Sequence, residues 1–291
     1  MQAALRHTHL KFVFFVTLLS IAFTAQAQRT PLPKAFAHND YWHNRPLYDA
    51  LDHGFLNVEA DIYLRDDELL VAHLLPSFQK KRTLEQLYLK PLLDYYEGRS
   101  NEIKYPLYPI TLMIDIKSDA EKTYARLAEI LKDYKSILSK YDKGEVKPGK
   151  VTIVLTGNKP YQMINGQTER YAFIDEDLMQ VRTDTTSNAV YQTASCKYSR
   201  LLNWTGKGPM PESQRQLLIS YVAVAHHYKK RVRLWASPEN KEVWRALLEC
   251  DVDLINTDKL AELRDFFENK RQEEERSAEQ LRYANASLNA K

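Results

Sequence analysis

Two acidic side chains, Glu59 and Asp61, are two positions apart in NVEADIYL, an otherwise apolar segment typical of a β-strand. Side chains at this spacing lie on one face of a strand, so both carboxylates point in the same direction. Neighbouring negative charges repel each other and are costly to bury, and a hard cation between them removes both difficulties. The pair therefore indicates a divalent-cation site. The simpler alternative is a single carboxylate at a strand end in a salt bridge with a lysine.

A third carboxylate, Asp115, follows the apolar run of ITLMIDIKSD, and Lys117 lies two positions further along the same face. A third acidic ligand is what a divalent-cation site beside Glu59 and Asp61 needs. Lys117 would then face the negative charge of a substrate. A structural Asp–Lys pair at a strand end is the alternative interpretation of these two residues alone.

Two histidines also end apolar runs, His38 in FAHNDYWHN and His73 in ELLVAHLLP. Either one alone is more commonly a hydrogen-bonded structural group than a catalyst. Together with the three carboxylates, however, both follow strand-like runs, and βα barrels build their active sites at the C-terminal ends of their strands. This coincidence favours a catalytic site. Near His38, Asp40 is expected to hold the loop and His43 to be a solvated loop residue.

Short β-rich runs alternate with helical patterns from residue 35 to about residue 268. Alternating β and α units predict a parallel sheet, and the length suits an α/β fold of the TIM (β/α)8 barrel type, which takes about 250 residues. A helix is expected to begin at Ser237 and Pro238, a favourable cap and first-turn pair. Residues 179–215 carry the weakest pattern and are expected to contain loops. The strand candidates are AFAH, LNVEADIYL, LLVAH, ITLMIDIK, KVTIVLTG, YAFID, RVRLWAS and DLINTD.

The start of the chain has the form of an export signal, with Arg6 and Lys11, the apolar run FVFFVTLLSIAF and the small residues AQA. The run is shorter than the roughly 20 residues that span a bilayer, and a retained N-terminal anchor is the alternative. We therefore expect an exported protein, periplasmic or secreted, without a transmembrane segment in its mature chain. The expected organisation is a signal peptide over residues 1–27, a barrel domain over residues 28–268, and a charged tail over residues 269–291 that is a frayed helix or disordered.

The charge content argues against nucleic-acid binding, and the cysteine spacing argues against a zinc site. The chain has 41 basic and 38 acidic side chains, without the concentrated basic stripe that nucleic-acid binding requires. Cys196 and Cys250 are the only cysteines, and they lack the spacing of a zinc site. In an oxidising compartment they form either a disulfide or two buried thiols, and the sequence leaves both alternatives open.

The order HND, VEADIYL, LLVAH, LMIDIK and LINTD resembles the phospholipase C-like phosphodiesterase superfamily, which includes glycerophosphodiester phosphodiesterases and phosphatidylinositol-specific phospholipase C. The branch known in fungi as altered inheritance of mitochondria protein is the most similar, through HNDYW, PLYDAL, VEAD, TLEQLYLKPL and RLWASPE followed by VWRALLECDVDLINTD. The resemblance extends from about residue 35 to residue 268. These motifs are specific as an ordered set and weak individually.

The resemblance implies a distorted TIM barrel with a divalent cation, Mg²⁺ or Ca²⁺, and two catalytic histidines. The positions that match the family's metal ligands are Glu59, Asp61 and Asp115. The positions that match its catalytic groups are His38, His73 and Lys117. Trp235 matches a tryptophan that lines the mouth of the pocket.

Two departures from the family pattern concern the site. Glycerophosphodiesterases usually have HRG where this chain has His38, Asn39 and Asp40, so their phosphate-binding arginine is absent at that place. Asn39 is similar to the asparagine of eukaryotic phosphoinositide phospholipases, which implies a metal or phosphate contact. The usual HD pair is His73 and Leu74 here, so no neighbouring aspartate orients that imidazole.

The expected function is that of a metal-dependent phosphoric diester hydrolase acting on a small-molecule or lipid-derived phosphodiester. By resemblance, His38 is the base or nucleophile and His73 the acid. Two alternatives stay open: a catalytically inactive barrel that binds a phosphate or sugar ligand, and a scaffold whose charged tail recruits a partner. Contact with a membrane surface, release of a cyclic phosphate and the oligomeric state are also left open.

Overall fold

The computed structural model describes residues 30–74, 82–103, 108–184, 186–187 and 189–289. Within these ranges the strands form one large sheet and one small antiparallel sheet, which consists of β5, β6 and β8. The strands are β1 (Leu32–Ala37), β2 (Phe55–Arg65), β3 (Glu68–Val71), β4 (Ile110–Ile116), β5 (Lys140–Asp142), β6 (Glu145–Lys147), β7 (Val151–Gly157), β8 (Glu169–Arg170), β9 (Ala172–Asp177), β10 (Tyr191–Lys197), β11 (Arg231–Trp235) and β12 (Ile255–Thr257).

Eight parallel strands lie side by side in the order β1, β2, β4, β7, β9, β10, β11 and β12, which is also their order along the chain. β12 pairs with β1, with Ile255 opposite Ala35. A single bridge between Arg233 and Leu254 joins β11 to the residues that lead into β12. The sheet thus closes on itself through one weak seam, and the prediction of a distorted TIM barrel is confirmed.

The interior of the barrel is partly apolar and partly polar. Four buried side chains form an apolar cluster apart from the main core: Phe36, Met113, Val154 and Leu254. The guanidinium of Arg233 lies 4.4 Å from the centroid of the Phe36 ring. The apolar cluster is therefore in direct contact with Arg233, one of the polar groups inside the barrel.

The segment that ends at His73 is not a barrel strand. β3 pairs antiparallel with the end of β2, across a turn in which Asp66 and Asp67 have φ angles of 49° and 65°. A two-residue turn joins antiparallel strands, whereas a parallel neighbour needs a long crossover connection. The expectation that His73 follows a barrel strand is therefore wrong. The hairpin nevertheless returns the chain to β2, where the amide of Ala72 donates to the carbonyl of Asp61 (3.1 Å).

Strand β10 lies in the segment where the sequence pattern predicted loops. Its buried hydroxyl side chains, Thr193 and Ser195, donate hydrogen bonds to Asp175 on β9, at 2.5 and 2.7 Å. These alternate with Ala194 and Cys196, which belong to the main apolar core. A polar inner face interrupts the continuous apolar run by which buried parallel strands are recognised. For that reason the pattern failed to predict this strand.

The helices are α1 (Tyr48–Asp52), α2 (Lys90–Tyr96), α3 (Ala120–Asp133), α4 (Tyr161–Gly166), α5 (Glu212–His227), α6 (Lys241–Glu249) and α7 (Leu260–Asn289). A π-helical segment, Glu85–Leu89, leads into α2. The N-cap of α6 is Asn240, whose side chain accepts a hydrogen bond from the amide of Val243 (3.0 Å). The prediction that this helix begins at Ser237 is therefore wrong.

The charged segment 269–289 continues α7 as helix. The predicted export signal lies outside the described residues. Among the helices that the structure describes, none has both the length and the apolar character needed to cross a membrane. Cys196 and Cys250 are both buried and are not joined, so the two thiols are free.

Candidate active site

The three carboxylates singled out in the sequence meet at the C-terminal mouth of the barrel. Glu59 and Asp61 lie on β2, and Asp61 is the direct neighbour of Asp115 on β4. One ligand oxygen from each residue lies within 4.8 Å of the others. Glu59 and Asp61 are only 3% and 2% exposed. The alternation along β2 and the pairing of β2 with β4 therefore produce the predicted acidic cluster.

A glycine makes room for this cluster. Gly157, which ends β7 with φ of 71°, lies so close to Asp115 that a Cβ atom there would be 2.0 Å from Oδ1 of the carboxylate. The same Oδ1 is buried and has no hydrogen-bond partner among the described residues. A buried carboxylate oxygen without a partner is costly, and hard oxygen ligands are those that Mg²⁺ and Ca²⁺ prefer. The donor set therefore fits a hard divalent cation.

Two cations approach the cluster from different sides. Nζ of Lys117 lies 2.7 Å from Asp115 Oδ2 and 3.1 Å from Asp61 Oδ2. The guanidinium of Arg233, itself 3% exposed, lies 3.3 Å from Glu59 Oε2. Burial raises the pKa of Glu59 above its usual range, against the lowering effect of Arg233. When all three carboxylates are ionised, they carry one charge more than Lys117 and Arg233 compensate, and a metal ion can balance that excess.

His38 is held at the mouth by the last strand of the barrel. Its backbone amide donates to the carbonyl of Thr257 (3.0 Å), and its Nδ1 lies 2.7 Å from Oδ1 of Asp258. Nε2 points towards Glu59, 3.7 Å from Oε2. Burial lowers the pKa of this imidazole, but the Asp258 hydrogen bond and the charge of Glu59 outweigh burial, so the pKa lies above 6.5. Asp258 ends the quoted run DLINTD, yet no pattern in the sequence assigned it a role.

Asn39 adopts a left-handed backbone conformation (φ 48°) and is 4% exposed. Its amide nitrogen lies 2.9 Å from Nδ1 of His38 and donates to Asp258 (3.3 Å). Its oxygen accepts a hydrogen bond from the hydroxyl of Tyr41 (2.7 Å). Asn39 thus contacts the groups that orient His38, and its predicted role as a metal or phosphate ligand stays a prediction.

His73 reaches the same cluster from the β2–β3 hairpin. Its Nδ1 lies 3.1 Å from Asp61 Oδ2 and 3.2 Å from the hydroxyl of Tyr41. Trp42, which is 58% exposed, packs edge-on against the imidazole with a centroid distance of 5.2 Å. The sequence places no aspartate beside His73, but the fold supplies Asp61, from the partner strand of the hairpin, in that orienting position.

The loop that carries His38 is fixed by Asp40, as predicted. Asp40 is fully buried and accepts hydrogen bonds from the amide of Leu47 (2.5 Å) and the hydroxyl of Tyr88 (2.9 Å). His43 is not the solvated loop residue that the sequence suggested. It is half-buried, its Nε2 has no hydrogen-bond partner within the described part of the chain, and burial lowers its pKa.

Asp40 gives the protein a specific pH dependence of stability. Burial raises the pKa of its carboxyl from 3.8 to about 7, against the two hydrogen bonds that favour the charged form. Between those pH values the folded state keeps a proton that the unfolded state has lost, so the free energy of unfolding falls as the pH rises through this window. Asp40→Asn imitates the neutral carboxyl. We expect it to gain up to about 4 kcal/mol relative to the unsubstituted protein between pH 4 and pH 8.

Urea unfolding of both proteins at several pH values measures this difference. Asp66→Asn is a matched control, because the Asp66 carboxylate lies in an exposed turn (91% exposed). If the stability of Asp40→Asn and that of the unsubstituted protein change in parallel with pH, Asp40 is ionised in the folded state and the expectation is wrong.

The rest of the barrel interior is also polar. The buried carboxylate of Asp175 accepts from Thr193 and Ser195, and Nε of Arg233 donates to the same Ser195 hydroxyl (3.3 Å). Trp235, the predicted pocket residue, ends β11 and is 38% exposed. Arg233 and Trp235 alternate in RVRLW, which is the signal in the sequence that could have placed this arginine inside the barrel.

The chain is similar to known proteins over most of its length. The family model described as the AIM6-like phosphodiesterase domain matches residues 25–175. Altered inheritance of mitochondria protein 6 homolog of Arthroderma benhamiae is 26% identical over 265 residues, covering 81% of this chain and 84% of that protein. Altered inheritance of mitochondria protein 6 of Eremothecium gossypii is 31% identical over 264 residues, covering 79% and 68%.

Among solved structures, a glycerophosphodiester phosphodiesterase from Parabacteroides distasonis is similar, with 15% identity, coverage of 82% of this chain and 98% of that chain, and a TM-score of 0.49. The family model covers more than half of the chain, and the Eremothecium relative is matched over more than two thirds of its length. The resemblance predicted from the motifs is thereby confirmed. The chain belongs to the AIM6-like phosphodiesterase family.

Proposed function

We propose that the protein is a metal-dependent phosphoric diester hydrolase. The observation that carries the proposal is the joint geometry of the mouth: a cluster of three carboxylates, two of them buried, with a lysine and two carboxylate-oriented imidazoles around it. A phosphodiester is negatively charged and gains charge on the way to its transition state. Fixed positive charge and two proton-transfer groups are the means by which a protein accelerates such a reaction.

The residues that would hold the cation are Glu59, Asp61 and Asp115. When bound there, Mg²⁺ or Ca²⁺ would supply positive charge to the phosphoryl oxygens. Lys117, already in contact with Asp61 and Asp115, adds a fixed ammonium at the same place. With the cation bound, Lys117 would no longer be needed to compensate both carboxylates, so its ammonium could also face the substrate.

His38 fits the role of the base. When its Nδ1–H donates to Asp258, the lone pair on Nε2 is free to accept a proton from the attacking water or substrate hydroxyl, and Nε2 is the atom that faces the carboxylate cluster. His73 fits the role of the acid, because Asp61 orients its imidazole by contact with Nδ1, so that a proton on Nε2 can be directed at the substrate. Proton transfer to the leaving oxygen from this side would complete the reaction. Export, inferred from residues 1–27, is a separate proposal from the sequence.

Hydrolysis of bis(p-nitrophenyl) phosphate tests the proposed function. The purified protein is assayed with Mg²⁺, with Ca²⁺ and with EDTA, and p-nitrophenolate release is followed. We expect turnover that requires a divalent cation and is lost in EDTA. Cation binding by calorimetry without turnover of this or any alkyl diester would instead identify a binding protein that keeps the site and lacks the reaction.

A further inference from the structure

A lysine and a tryptophan stand side by side at the ends of two adjacent barrel strands. Lys197 ends β10, Trp235 ends β11, and the two residues are register partners. Alternation along β10 places Lys197 on the same face as Thr193 and Ser195, whose hydroxyls point into the barrel. The ammonium of Lys197 lies 5.9 Å from the centroid of the Trp235 ring. The pair therefore borders the mouth rather than the outer surface.

The ammonium of Lys197 is not paired with a carboxylate in the part of the chain that the structure describes. Both side chains are exposed, and no carboxylate oxygen within the described residues lies within 4.0 Å of Lys197. Its neighbour Arg200 is engaged by both oxygens of Asp177 (2.9 Å each), and Lys117 is engaged by the acidic cluster. Lys197 thus differs from Arg200 and Lys117, which compensate protein carboxylates.

The position of the pair relative to the acidic cluster follows from the strand order. Around the closed barrel, β10 is four strands from β2, and β11 is four strands from β4. The Lys197–Trp235 pair therefore lies across the mouth from Asp61 and Asp115. A phosphodiester has two arms, and with the phosphoryl group at the acidic cluster one arm can extend across the mouth to this pair.

We propose that Lys197 and Trp235 form a specificity site for a phosphodiester whose non-leaving arm carries a second anionic group, a phosphate or a carboxylate. This inference rests on the proposed function. The ammonium attracts the second anion, and the exposed indole face gives the arm an apolar wall, at a distance at which a bound cation also interacts with the ring. An ordinary solvated lysine would produce no preference between a charged and a neutral arm.

The test compares two matched diesters, 3-carboxyphenyl p-nitrophenyl phosphate and phenyl p-nitrophenyl phosphate, which differ by one carboxylate. We expect kcat/KM for the anionic diester to exceed that for the neutral one by about tenfold at low salt, with the preference shrinking at high salt because the charges are screened. Lys197→Gln should abolish the ratio and Lys197→Arg should keep it. Lys150→Gln, at the exposed residue before β7 at the opposite end of the barrel, should leave the ratio unchanged.

Calorimetric binding of the same two diesters gives the same comparison without turnover, so the proposal is tested even if the protein proves not to be a hydrolase. Vesicles of phosphatidylcholine with either cardiolipin or phosphatidylglycerol present the contrast on lipids, and show whether the anionic arm belongs to a head group. A preference in either setting that depends on Lys197 supports the specificity site. Turnover or binding without any preference, in solution and on vesicles, overturns it and leaves the hydrolase proposal intact.

Discussion

Asp61→Asn is expected to remove cation binding and to slow diester hydrolysis by more than about 100-fold. Asp61 is the carboxylate in contact with both Lys117 and His73, and one of its oxygens completes the three-carboxylate cluster. Substitution of groups that merely support metal ligands commonly costs about 10–100-fold in affinity or activity, so loss of a direct ligand should cost more. Calorimetric titration with Mg²⁺ and Ca²⁺, together with the diester assay, measures both effects.

The stability of this variant without metal distinguishes a cation site from an ordinary ion-pair network. In a cation site the three clustered carboxylates repel each other when the ion is removed, so Asp61→Asn should be at least as stable as the unsubstituted protein in EDTA. Adding the cation should then stabilise only the unsubstituted protein, by about 2.7 kcal/mol at a concentration one hundred times Kd.

Asp66→Asn provides the control for this comparison, since asparagine tolerates the positive φ of that exposed turn position and the side chain takes no part in the cluster. Its cation binding and activity should equal those of the unsubstituted protein. If Asp61→Asn instead lowers stability in EDTA, and cation addition does not change the melting temperature of either protein, Asp61 serves as an ion-pair partner of Lys117 and His73. This result would contradict the proposed metal site.

The acidic cluster could be predicted because its geometry is local. The two-residue spacing of Glu59 and Asp61 already places both carboxylates on one strand face, and Asp115 ends the next parallel strand of the barrel. Both facts follow from alternation and from the order of strands in a βα barrel. No detail of side-chain packing was needed to bring these three residues together.

The side-chain contacts that complete the site could not be predicted, because each joins two distant parts of the chain. The contact between Arg233 and Glu59 spans 174 positions, and that between His38 and Asp258 spans 220. Each depends on the closure of the barrel between its first and last strands, and closure is a property of the whole sheet. An aspartate after an apolar run, as at position 258, is by itself equally compatible with a helix cap or a turn.

The hairpin shows the opposite case, a residue that lies at the mouth as predicted but for a different structural reason. His73 reaches the mouth because β2 extends beyond the barrel and turns back through Asp66 and Asp67. The apolar run LLV has the composition of a barrel strand, and only the short turn before it reveals an antiparallel partner. The turn residues therefore carried the information about the position of His73, and the apolar run did not.

The two histidines should respond differently to the leaving group of the substrate. An alkyl leaving group must be protonated as it departs, whereas p-nitrophenolate is stable as an anion and needs little help from an acid. His73→Gln should therefore slow hydrolysis of an alkyl diester such as glycerophosphoglycerol by about 10²–10⁴-fold and have a much smaller effect on bis(p-nitrophenyl) phosphate. His38→Gln should slow both substrates by a similar factor, because in both reactions the attacking oxygen, from water or from a substrate hydroxyl, must lose its proton.

Steady-state kinetics with both substrates, for both variants, test this assignment. His226→Gln is a matched control, since that histidine also pairs with an aspartate, Asp253 at 2.7 Å, but does so at the end of α5 and away from the mouth. Equal losses on both substrates in His73→Gln would contradict the acid role. The reverse pattern, with leaving-group sensitivity in His38→Gln, would exchange the two assignments. The departing oxygen would then lie beside Asp258 and Asn39, and the attacking oxygen would lie beside Asp61 and Tyr41.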